Sequence, residues 1–425
     1  MAGFLITDYD RDMKSWSEVP IPPIDSSIRF PELQLTNSAS GTKELVPRKS
    51  VYRMYVCGIT PYDATHLGHA ATYLTFDLIL RYLQASGSQV RYVQNITDID
   101  DPLLERAKRD GVDWAELASQ QIDLFRGDMI NLRVIPPDDY IGAVDAIPLV
   151  TKAIELLSAK ESIYAVDKDL YFKVHSDTHF GERSNLSEQQ MIEIFSERGG
   201  DPSRIGKSDP LDCLVWMSQR PNEPGWPSIH GVGRPGWHIE CTAIAMKYLD
   251  PSSDDESLID IQGGGSDLIF PHHEMCAAQA QVISGKSLAA TYVHAGMIGL
   301  DGEKMSKSKG NLVFVSKLVS DGRDPMAIRW ALMKDHYRKD RMWTEALLIE
   351  AELDLIALRS CMARTDVAPT KDLIETIVFE LSQDLNTQAV ITAVNSWVSN
   401  TLLGDTGGDV ESLISVMDAL LGIKL

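Results

Sequence analysis

One stretch near the start of the chain constrains the fold more than any other, because a strand pattern gives way there to a helix pattern. Residues 51–56 are mostly β-branched or aromatic, Gly58 and Pro61 interrupt them, and apolar residues recur at helical spacing from Leu67 onward. A strand, a turn and a helix in this order form the repeating unit of α/β folds. The sequence therefore predicts an α/β protein in which this turn is a candidate ligand site.

Two histidines, His66 and His69, lie where this strand passes into the helix. The N-terminus of a helix offers free N–H groups and the positive end of its dipole, which suits an anion such as a phosphate. Gly68 lets a nucleotide approach the backbone closely. Because strand–glycine–helix turns are common, this pattern alone is only a weak indication of a nucleotide site.

A second predicted strand, over 90–97, runs into the acidic cluster Asp98-Ile99-Asp100-Asp101. Open α/β sheets place their ligands at the carboxyl ends of their strands, so this cluster is expected near the same site. A β-hairpin is predicted over 163–166 and 170–174, and further strands over 258–261 and 292–296. Helices are predicted over 102–110, 113–131, 143–160 and 237–249, from Pro271 onward, and over 325–335, 344–363, 371–383, 386–402 and 409–421.

A lysine-rich loop, Lys304-Met305-Ser306-Lys307-Ser308, follows the predicted strand at 292–296. Taken with His66-Leu67-Gly68-His69, it resembles the two signature motifs of class I aminoacyl-tRNA synthetases. In that family both motifs hold ATP and stabilise the pyrophosphate leaving group. The resemblance therefore implies that His66, His69, Lys304 and Lys307 act in catalysis.

The composition and the lack of long apolar runs favour a soluble cytoplasmic protein. No run approaches the ~20 apolar residues of a membrane span, and the N-terminus lacks the apolar region of a signal peptide. Five cysteines are few and odd in number, so a disulfide framework is not expected. The chain has 40 Lys and Arg against 61 Asp and Glu, a formal net charge of −21. Nucleic-acid binders usually carry a basic face, so this charge lowers the expectation of a tRNA partner.

The resemblance implies a Rossmann-like class I synthetase catalytic domain with an inserted subdomain and a C-terminal helical domain. The N-terminal part is rich in proline and serine, with an extended linker at 19–23, a short strand near 33–35 and a possible disordered extension from Met1 to Met13. The predicted divisions are an N-terminal extension (1–50), the first half of the catalytic domain (51–160), the insertion (161–232), the second half (233–315) and the helical domain (316–425).

Cysteine and histidine positions raise the question of a metal. Cys57 follows a strand, Cys241 lies in a predicted helix, and His272 and Cys276 are one helical turn apart. No pair has zinc-finger spacing, and a buried cysteine is usually a small hydrophobic residue. Spacing alone therefore does not indicate a metal.

Further motifs resemble cysteinyl-tRNA synthetases: Cys57-Gly58, Asn95 to Asp101, Gly236-Trp237-His238-Ile239-Glu240-Cys241, Gly263 to Asp267, and Phe270-Pro271-His272-His273-Glu274. In that family an active-site zinc ion binds the thiolate of the substrate cysteine. The resemblance implies one zinc ion per chain, held by Cys57, Cys241 and His272. A glutamate usually stands at the position of Cys276, so the site has either three protein ligands, which we favour, or Cys276 as a fourth.

The same resemblance implies ATP as a substrate, with Mg²⁺. It carries the adenylate contacts onto Cys57, Gly58, Ile59, Thr60, Thr72, Asn95, Ile96, Thr97, Trp237, Gly265, Ser266, Asp267 and Ile298. For Trp237 and Ile298 packing in the core is the alternative. Asp267 is a candidate catalytic base, or it holds the ammonium group of cysteine; both roles stay open.

The sequence around His66, and the loop Glu197-Arg198-Gly199-Gly200-Asp201-Pro202, resemble the cysteine ligases of actinobacterial mycothiol biosynthesis more than the synthetases. Those ligases join cysteine to the amine of glucosaminyl-inositol. The last 82 residues carry four basic and thirteen acidic side chains, a net charge of −9. RNA binding needs basic side chains that neutralise phosphates, so this segment is not expected to bind RNA. We therefore expect a monomeric enzyme that acts on small molecules, with no tRNA and no membrane partner. A cysteinyl-tRNA synthetase and a catalytically inactive paralogue are the alternatives.

Overall fold

The computed structural model describes residues 13–63, 65–249, 255–300, 302–305 and 310–425. Its strands are β1 Gln34–Asn37, β2 Thr42–Leu45, β3 Val51–Val56, β4 Gln89–Ile96, β5 Asp139–Gly142, β6 Ile163–Val166, β7 Asp169–Phe172, β8 Cys213–Ser218, β9 Gly233–Pro235, β10 Ser257–Gly265, β11 Ser287–Ala295, β12 Ile298–Leu300, β13 Glu303–Lys304 and β14 Arg341–Trp343.

The described helices are α1 Leu67–Ala85, α2 Asp101–Asp110, α3 Trp114–Asn131, α4 Ile147–Ala159, α5 Glu188–Glu197, α6 Trp237–Tyr248, α7 Glu274–Ser284, α8 Val315–Ser320, α9 Pro325–Met333, α10 Glu345–Met362, α11 Lys371–Ser382, α12 Thr387–Leu403 and α13 Val410–Leu421. None of the described helices is long and apolar enough to cross a membrane. The mixture of parallel sheet and helices confirms the predicted α/β class.

The centre of the protein is a parallel five-stranded sheet in the order β11-β10-β3-β4-β5. Its strands are largely buried because helices cover the sheet, and helix α1 packs against β10, β4 and β11. The carboxyl ends of β3, β4, β10 and β11 meet at one edge. This edge carries the residues that the sequence singled out as the site.

Two parts of this sheet differ from the sequence expectation. The helix expected over 143–160 begins at Ile147, and the buried strand β5 with a turn precedes it. The glycines Gly263 to Gly265, expected in a loop, are the last residues of β10. A β-carbon at Gly263 would lie 2.3 Å from the ring of Phe76 on α1, so the packing of the helix requires glycine in this strand.

The segment between the halves of the sheet forms a four-stranded antiparallel sheet in the order β6-β7-β8-β9, with α5 beside it. The predicted hairpin is present as β6 and β7, whereas helix α5 was not predicted. The predicted tail helices correspond to α9–α13, each within about two residues. The five-part division of the chain stays a prediction.

A buried ionic cluster joins the tail to the back of α1. Asp77 accepts from Arg81 Nε at 2.7 Å and from the Arg329 guanidinium, and all three side chains are fully buried. The two arginines also donate to backbone carbonyls near the ends of α3 and α13. Because unsatisfied charges inside a protein are costly, this network fixes the tail on the helix that His66 caps.

The N-terminal segment is more ordered than the expected linker. Trp16 is buried and donates to the carbonyl of Val134 at 2.7 Å. The predicted short strand near 33–35 is present as β1, which forms a hairpin with β2. Asp384 fixes this hairpin to the tail by accepting from the backbone N–H and the hydroxyl of Thr36. The possible disordered extension at Met1–Met13 lies, except for Met13, outside the described residues.

Candidate active site

Cys57 follows β3 directly and lies at the centre of the sheet's carboxyl edge. Its side chain is buried, its N–H donates to the carbonyl of Gly263 in β10, and its carbonyl accepts from the hydroxyl of Tyr73. Strand β3 therefore ends in a fixed position with the sulfur directed into the interior between β10 and α6.

The expected adenylate residues of β3 and β4 lie side by side. Gly58 N donates to Asn95 Oδ1 at 2.8 Å, and Thr97 N donates to the carbonyl of Ile59 at 3.0 Å. A β-carbon on Gly58 would lie 1.7 Å from the carbonyl oxygen of Asn95, so only glycine allows the two strands to approach this closely. The structure thus brings the group 57–60 against the group 95–97.

His66 caps helix α1. Its Nδ1 accepts from the N–H groups of Gly68 at 3.1 Å and His69 at 3.4 Å, while its ring stacks on the ring of His69 with centroids 3.7 Å apart. Burial lowers the pKa of His66 to about 4 and that of His69 well below its usual value. Both rings are therefore neutral at pH 7 in the protein alone, and they can offer hydrogen bonds to a ligand.

Cys57, Cys241 and His272 form a buried cluster in which one potential ligand atom from each lies within 4.8 Å of the others. The two sulfurs are 3.9 Å apart, and His272 Nε2 lies 3.2 Å from Cys241 Sγ. Tetrahedral zinc with sulfur ligands at about 2.3 Å would separate two sulfurs by roughly 3.8 Å. The donor set and its spacing therefore suit a thiophilic metal ion.

The electrostatics of this cluster pair a thiolate with an imidazole. Burial raises the pKa of Cys57 well above its usual value. Burial also acts to raise the pKa of Cys241, but its hydrogen bond with Cys57 and the charge of His272 outweigh it and lower the pKa. A bound cation would favour the thiolate form of both sulfurs.

Cys276 lies beside the cluster, with its S–H engaged by a backbone carbonyl. Its sulfur is 3.8 Å from His272 Nε2, and its S–H donates to the carbonyl of His238 at 3.2 Å. Among the described residues the three-residue grouping does not include Cys276. This arrangement favours the three-ligand hypothesis.

Sequence reasoning missed a chain of imidazoles behind the cluster. His273 Nε2 lies 3.2 Å from Cys57 Sγ, and His273 Nδ1 lies 2.7 Å from His294 Nε2. His294 Nδ1 in turn lies 2.8 Å from the hydroxyl of Ser38, which follows β1. The dipeptide His272-His273 was a visible signal, but nothing in the sequence links it to Ser38.

The glycine-rich turn closes the site on the β10 side. Gly265 ends β10, Ser266 and Asp267 begin a single 3₁₀ turn, and a β-carbon at Gly265 would lie 2.4 Å from Asp267 Oδ1 and 3.8 Å from Thr72 Oγ1. Asp267 is exposed. Thr72, Gly265 and Asp267 therefore lie together on the rim of the site.

Trp237 and Ile298 occupy different surroundings. The Trp237 ring stacks on the ring of His272, a candidate metal ligand, with centroids 4.4 Å apart, and it also contacts the ring of His238. Ile298 is 4% exposed and belongs to the main core. Their roles as adenylate contacts stay predictions.

The lysine loop is described only in part. Strand β13 pairs the backbone of Lys304 with Gly299 of β12, which parallels β14. Lys307 lies outside the described residues, and no side-chain contact of Lys304 is described. The backbone pairing places the start of this loop next to β12, which carries Ile298.

Three carboxyl groups near the metal cluster have raised pKa values, and of these Glu240 is buried while Asp98 and Asp100 are half-buried. Burial raises the pKa values of Asp98 and Asp100 to about 6, and it raises that of Glu240 well above its usual value. One carboxyl oxygen of Glu240, Oε2, has no hydrogen-bond partner among the described residues. These groups give the floor of the site an acidic character.

Comparison with known proteins gives the family. Residues 44–353 match the family described as the tRNA synthetases class I (C) catalytic domain. A ligase of Nocardia farcinica named L-cysteine:1D-myo-inositol 2-amino-2-deoxy-α-D-glucopyranoside ligase is 50% identical over 420 residues, covering 97% of this chain and 100% of that protein. A protein of the same name from Nakamurella multipartita is 52% identical over 418 residues, with 97% and 100% covered.

Solved structures with a similar fold are synthetases. The methionyl-tRNA synthetase of Mycobacterium tuberculosis in complex with methionyl-adenylate has a TM-score of 0.59 at 18% identity, covering 88% of this chain and 89% of that one. A putative arginyl-tRNA synthetase from Campylobacter jejuni has a TM-score of 0.55 at 12% identity, covering 89% and 93%. At these identities the likeness shows the fold alone.

Proposed function

This chain belongs to the class I tRNA synthetase catalytic-domain family and to the family of cysteine:glucosaminyl-inositol ligases within it, and on that premise we propose its reaction in full. The protein joins L-cysteine to the amine of 1D-myo-inositol 2-amino-2-deoxy-α-D-glucopyranoside in mycothiol biosynthesis. The reaction consumes ATP and releases AMP and pyrophosphate through a cysteinyl adenylate.

The observation that carries this proposal is the buried group Cys57, Cys241 and His272 at the carboxyl edge of the sheet, beside the adenylate residues. Two sulfurs and one imidazole would hold zinc and leave one position for a ligand. Zinc bound there would supply a strong preference for the thiolate of cysteine over the hydroxyl of serine. A hydrophobic pocket alone discriminates such similar groups poorly.

In the first step a carboxylate oxygen of cysteine attacks the α-phosphorus of ATP, and the bond to the pyrophosphate oxygen breaks. His66 and His69 would donate hydrogen bonds to phosphate oxygens, a role supported by their neutral rings and by their place at the start of α1. Lys304 and Lys307 would stabilise the charge that accumulates on the departing pyrophosphate, with Mg²⁺ bound to ATP.

In the second step the neutral amine of the amino sugar attacks the activated carbonyl carbon. The bond from that carbon to the AMP oxygen breaks, AMP leaves, and the amine loses a proton as the amide forms. A nearby carboxylate would accept this proton. Asp267 on the rim of the site is one candidate for this role, and holding the cysteine ammonium group is its alternative role.

The net charge of the chain supports the amino sugar as the acceptor. The chain carries net charge −21, and its last 82 residues carry −9. A polyanionic tRNA would be repelled by such a surface, whereas a small cationic amino sugar would be attracted. A cysteinyl-tRNA synthetase is the second candidate, because the matched family is described as the tRNA synthetases class I (C) catalytic domain.

ATP–pyrophosphate exchange tests the first step. We expect cysteine to support exchange, and serine at the same concentration to support none above background, because the metal site selects a thiolate. Exchange that does not depend on cysteine, or that serine supports equally, would contradict the proposal.

A further inference from the structure

The loop Glu197-Arg198-Gly199-Gly200-Asp201-Pro202, called the insertion loop below, has no part in the reaction as described so far. It follows α5, which begins with a capping box between Ser187 and Gln190 and buries Met191 and Phe195. Helix α5 ends at Glu197, and Arg198 caps it by donating its N–H to the carbonyls of Ile194 and Phe195. The insertion loop therefore starts from a fixed helix end.

The rest of the insertion loop is fixed by its own residues. Gly199 has a φ of +85°, a conformation that strongly favours glycine, and a β-carbon on Gly200 would lie 2.5 Å from the Phe195 ring. Asp201 accepts from the Tyr171 hydroxyl and, at 2.9 Å, from Lys207 Nζ. The loop consequently presents Arg198 in one defined direction.

Arg198 reaches out of the insertion and across to the catalytic sheet. One terminal nitrogen of its guanidinium, Nη1, donates to two backbone carbonyls, those of Asp267 and Phe270. Both belong to the turn that leads from the end of β10 to His272. Phe270 has extended dihedral angles, φ −140° and ψ 138°, so this turn is not held by a continuous helix.

The position of this turn determines two parts of the site at once. Asp267 begins the turn on the rim, and His272 follows it at the metal cluster, where its Nε2 lies 3.2 Å from Cys241 Sγ. A shift of the turn would displace both side chains relative to Cys57 and Cys241, which are held by β3 and α6. Displacements of about 1 Å at a reacting site can cost roughly 100-fold in rate.

We propose that Arg198 is a positioning residue of the cysteine-activating site, which it serves by fixing the turn 267–270 between Asp267 and His272. Arg198 acts through backbone carbonyls and need not touch the substrate. This inference rests on the proposed function, because it takes Asp267 and His272 as parts of the site. In this way the insertion loop contributes to the assembly of that site.

The test compares Arg198→Ala, Arg198→Lys and a matched control, Arg220→Ala. Arg220 lies in the same insertion and pairs with the buried carboxylate of Asp169 at 2.7 Å, without a described contact to the turn. The measurements are cysteine-dependent ATP–pyrophosphate exchange, expressed as kcat/KM for cysteine, together with Tm and bound zinc for each variant. Rates are normalised to the zinc-containing protein.

We expect Arg198→Ala to lower kcat/KM about 10-fold or more relative to Arg220→Ala, at a Tm no lower than that of the control. Arg198→Lys should recover part of the loss, because an ammonium group can still donate to one carbonyl. If Arg198→Ala does not fold, Arg198→Lys alone is compared with Arg220→Ala and should be the slower enzyme. Exchange rates for the Arg198 variants that match the control would overturn the inference, whereas a wild-type protein without cysteine-dependent exchange would overturn the proposed function.

Discussion

Nε2 of His272 lies 3.2 Å from the sulfur of Cys241, while Nδ1 of the same ring lies 3.0 Å from Nδ1 of His238. One ring nitrogen therefore faces the Cys241 sulfur, and the other is held by a second imidazole. A histidine whose outer nitrogen is fixed in this way is oriented in advance as a metal ligand. The relationship makes the metal hypothesis testable one residue at a time.

We predict about one zinc ion per chain, lost in Cys57→Ala, Cys241→Ala and His272→Ala. Each change removes one of three protein ligands, which should cost most of the metal affinity. Cysteine-dependent exchange should fall with the metal content. Elemental analysis of the purified proteins, with exchange measured on the same samples, gives both quantities.

Two other cysteines serve as comparisons for that experiment. Cys276→Ala should keep most of its zinc, since the Cys276 S–H is directed to the carbonyl of His238. Cys361→Ala is the matched control, because Cys361 is buried in the helical tail on α10. Zinc loss in Cys276→Ala equal to that in Cys241→Ala would show that four residues hold the ion.

Two substitutions at His66 should affect stability differently and catalysis alike. His66→Ala removes the cap of α1 and should lower the free energy of unfolding by about 1 kcal/mol, whereas His66→Asn supplies another good capping side chain and should restore most of it. Both variants lose the second ring nitrogen that could reach a phosphate. We therefore expect exchange to fall by about 100-fold in both variants, measured beside urea unfolding curves. Near-normal exchange in His66→Asn would assign His66 to capping alone.

Lys307, which lies outside the described residues, should act on the rate of adenylate formation. A charge that interacts with pyrophosphate as it departs stabilises the transition state more than the bound substrate. Lys307→Ala should therefore lower the rate of the pre-steady-state pyrophosphate burst and leave the Kd for cysteine near its wild-type value. Lys371→Ala, at an exposed lysine on α11, is the control. An unchanged burst in Lys307→Ala would refute the assignment.

Asp128 should make stability depend on pH. The side chain is buried on α3, one of its oxygens has no partner among the described residues, and burial raises its pKa to about 7. The folded protein therefore holds a proton that the unfolded chain releases near pH 4. This contribution to stability is present at low pH and is lost as pH rises through about 7, with a slope of up to about 1.4 kcal/mol per pH unit.

Asp128→Asn removes that proton without removing the shape of the side chain. We expect the decline in Tm between pH 5 and pH 8 to be smaller in Asp128→Asn than in the wild type, measured by thermal unfolding across that range. Equal slopes for the two proteins would mean that Asp128 does not carry the proton.

The sequence predicted strand β3 from its β-branched and aromatic residues, and helix α1 from apolar residues that recur at helical spacing. It did not predict β5, since four buried residues show no alternation. It placed Gly263 in a loop because glycine is a poor strand former, whereas the ring of Phe76 requires a glycine there. Local sequence patterns thus located most strands and helices, whereas tertiary packing determined the segments that were predicted wrongly.

The same contrast between local patterns and tertiary packing holds for the candidate site. Cys57, Cys241 and His272 are far apart in the chain, so only a family resemblance, and no spacing rule, could group them. The contacts of Ser38 with His294 and of Arg198 with the turn at Asp267 depend on how separate segments pack. Such contacts between distant residues leave no periodic signal in a single sequence.

The identity of the acceptor is the central claim, and one labelling experiment tests it most directly. The protein is incubated with ATP and labelled cysteine, and receives either glucosaminyl-inositol or tRNA. We predict label in an amide of the amino sugar, with about one AMP released per amide formed, and no label in precipitated tRNA. Label that survives precipitation with tRNA, together with none in the amino sugar, would contradict this account and return the chain to the synthetases.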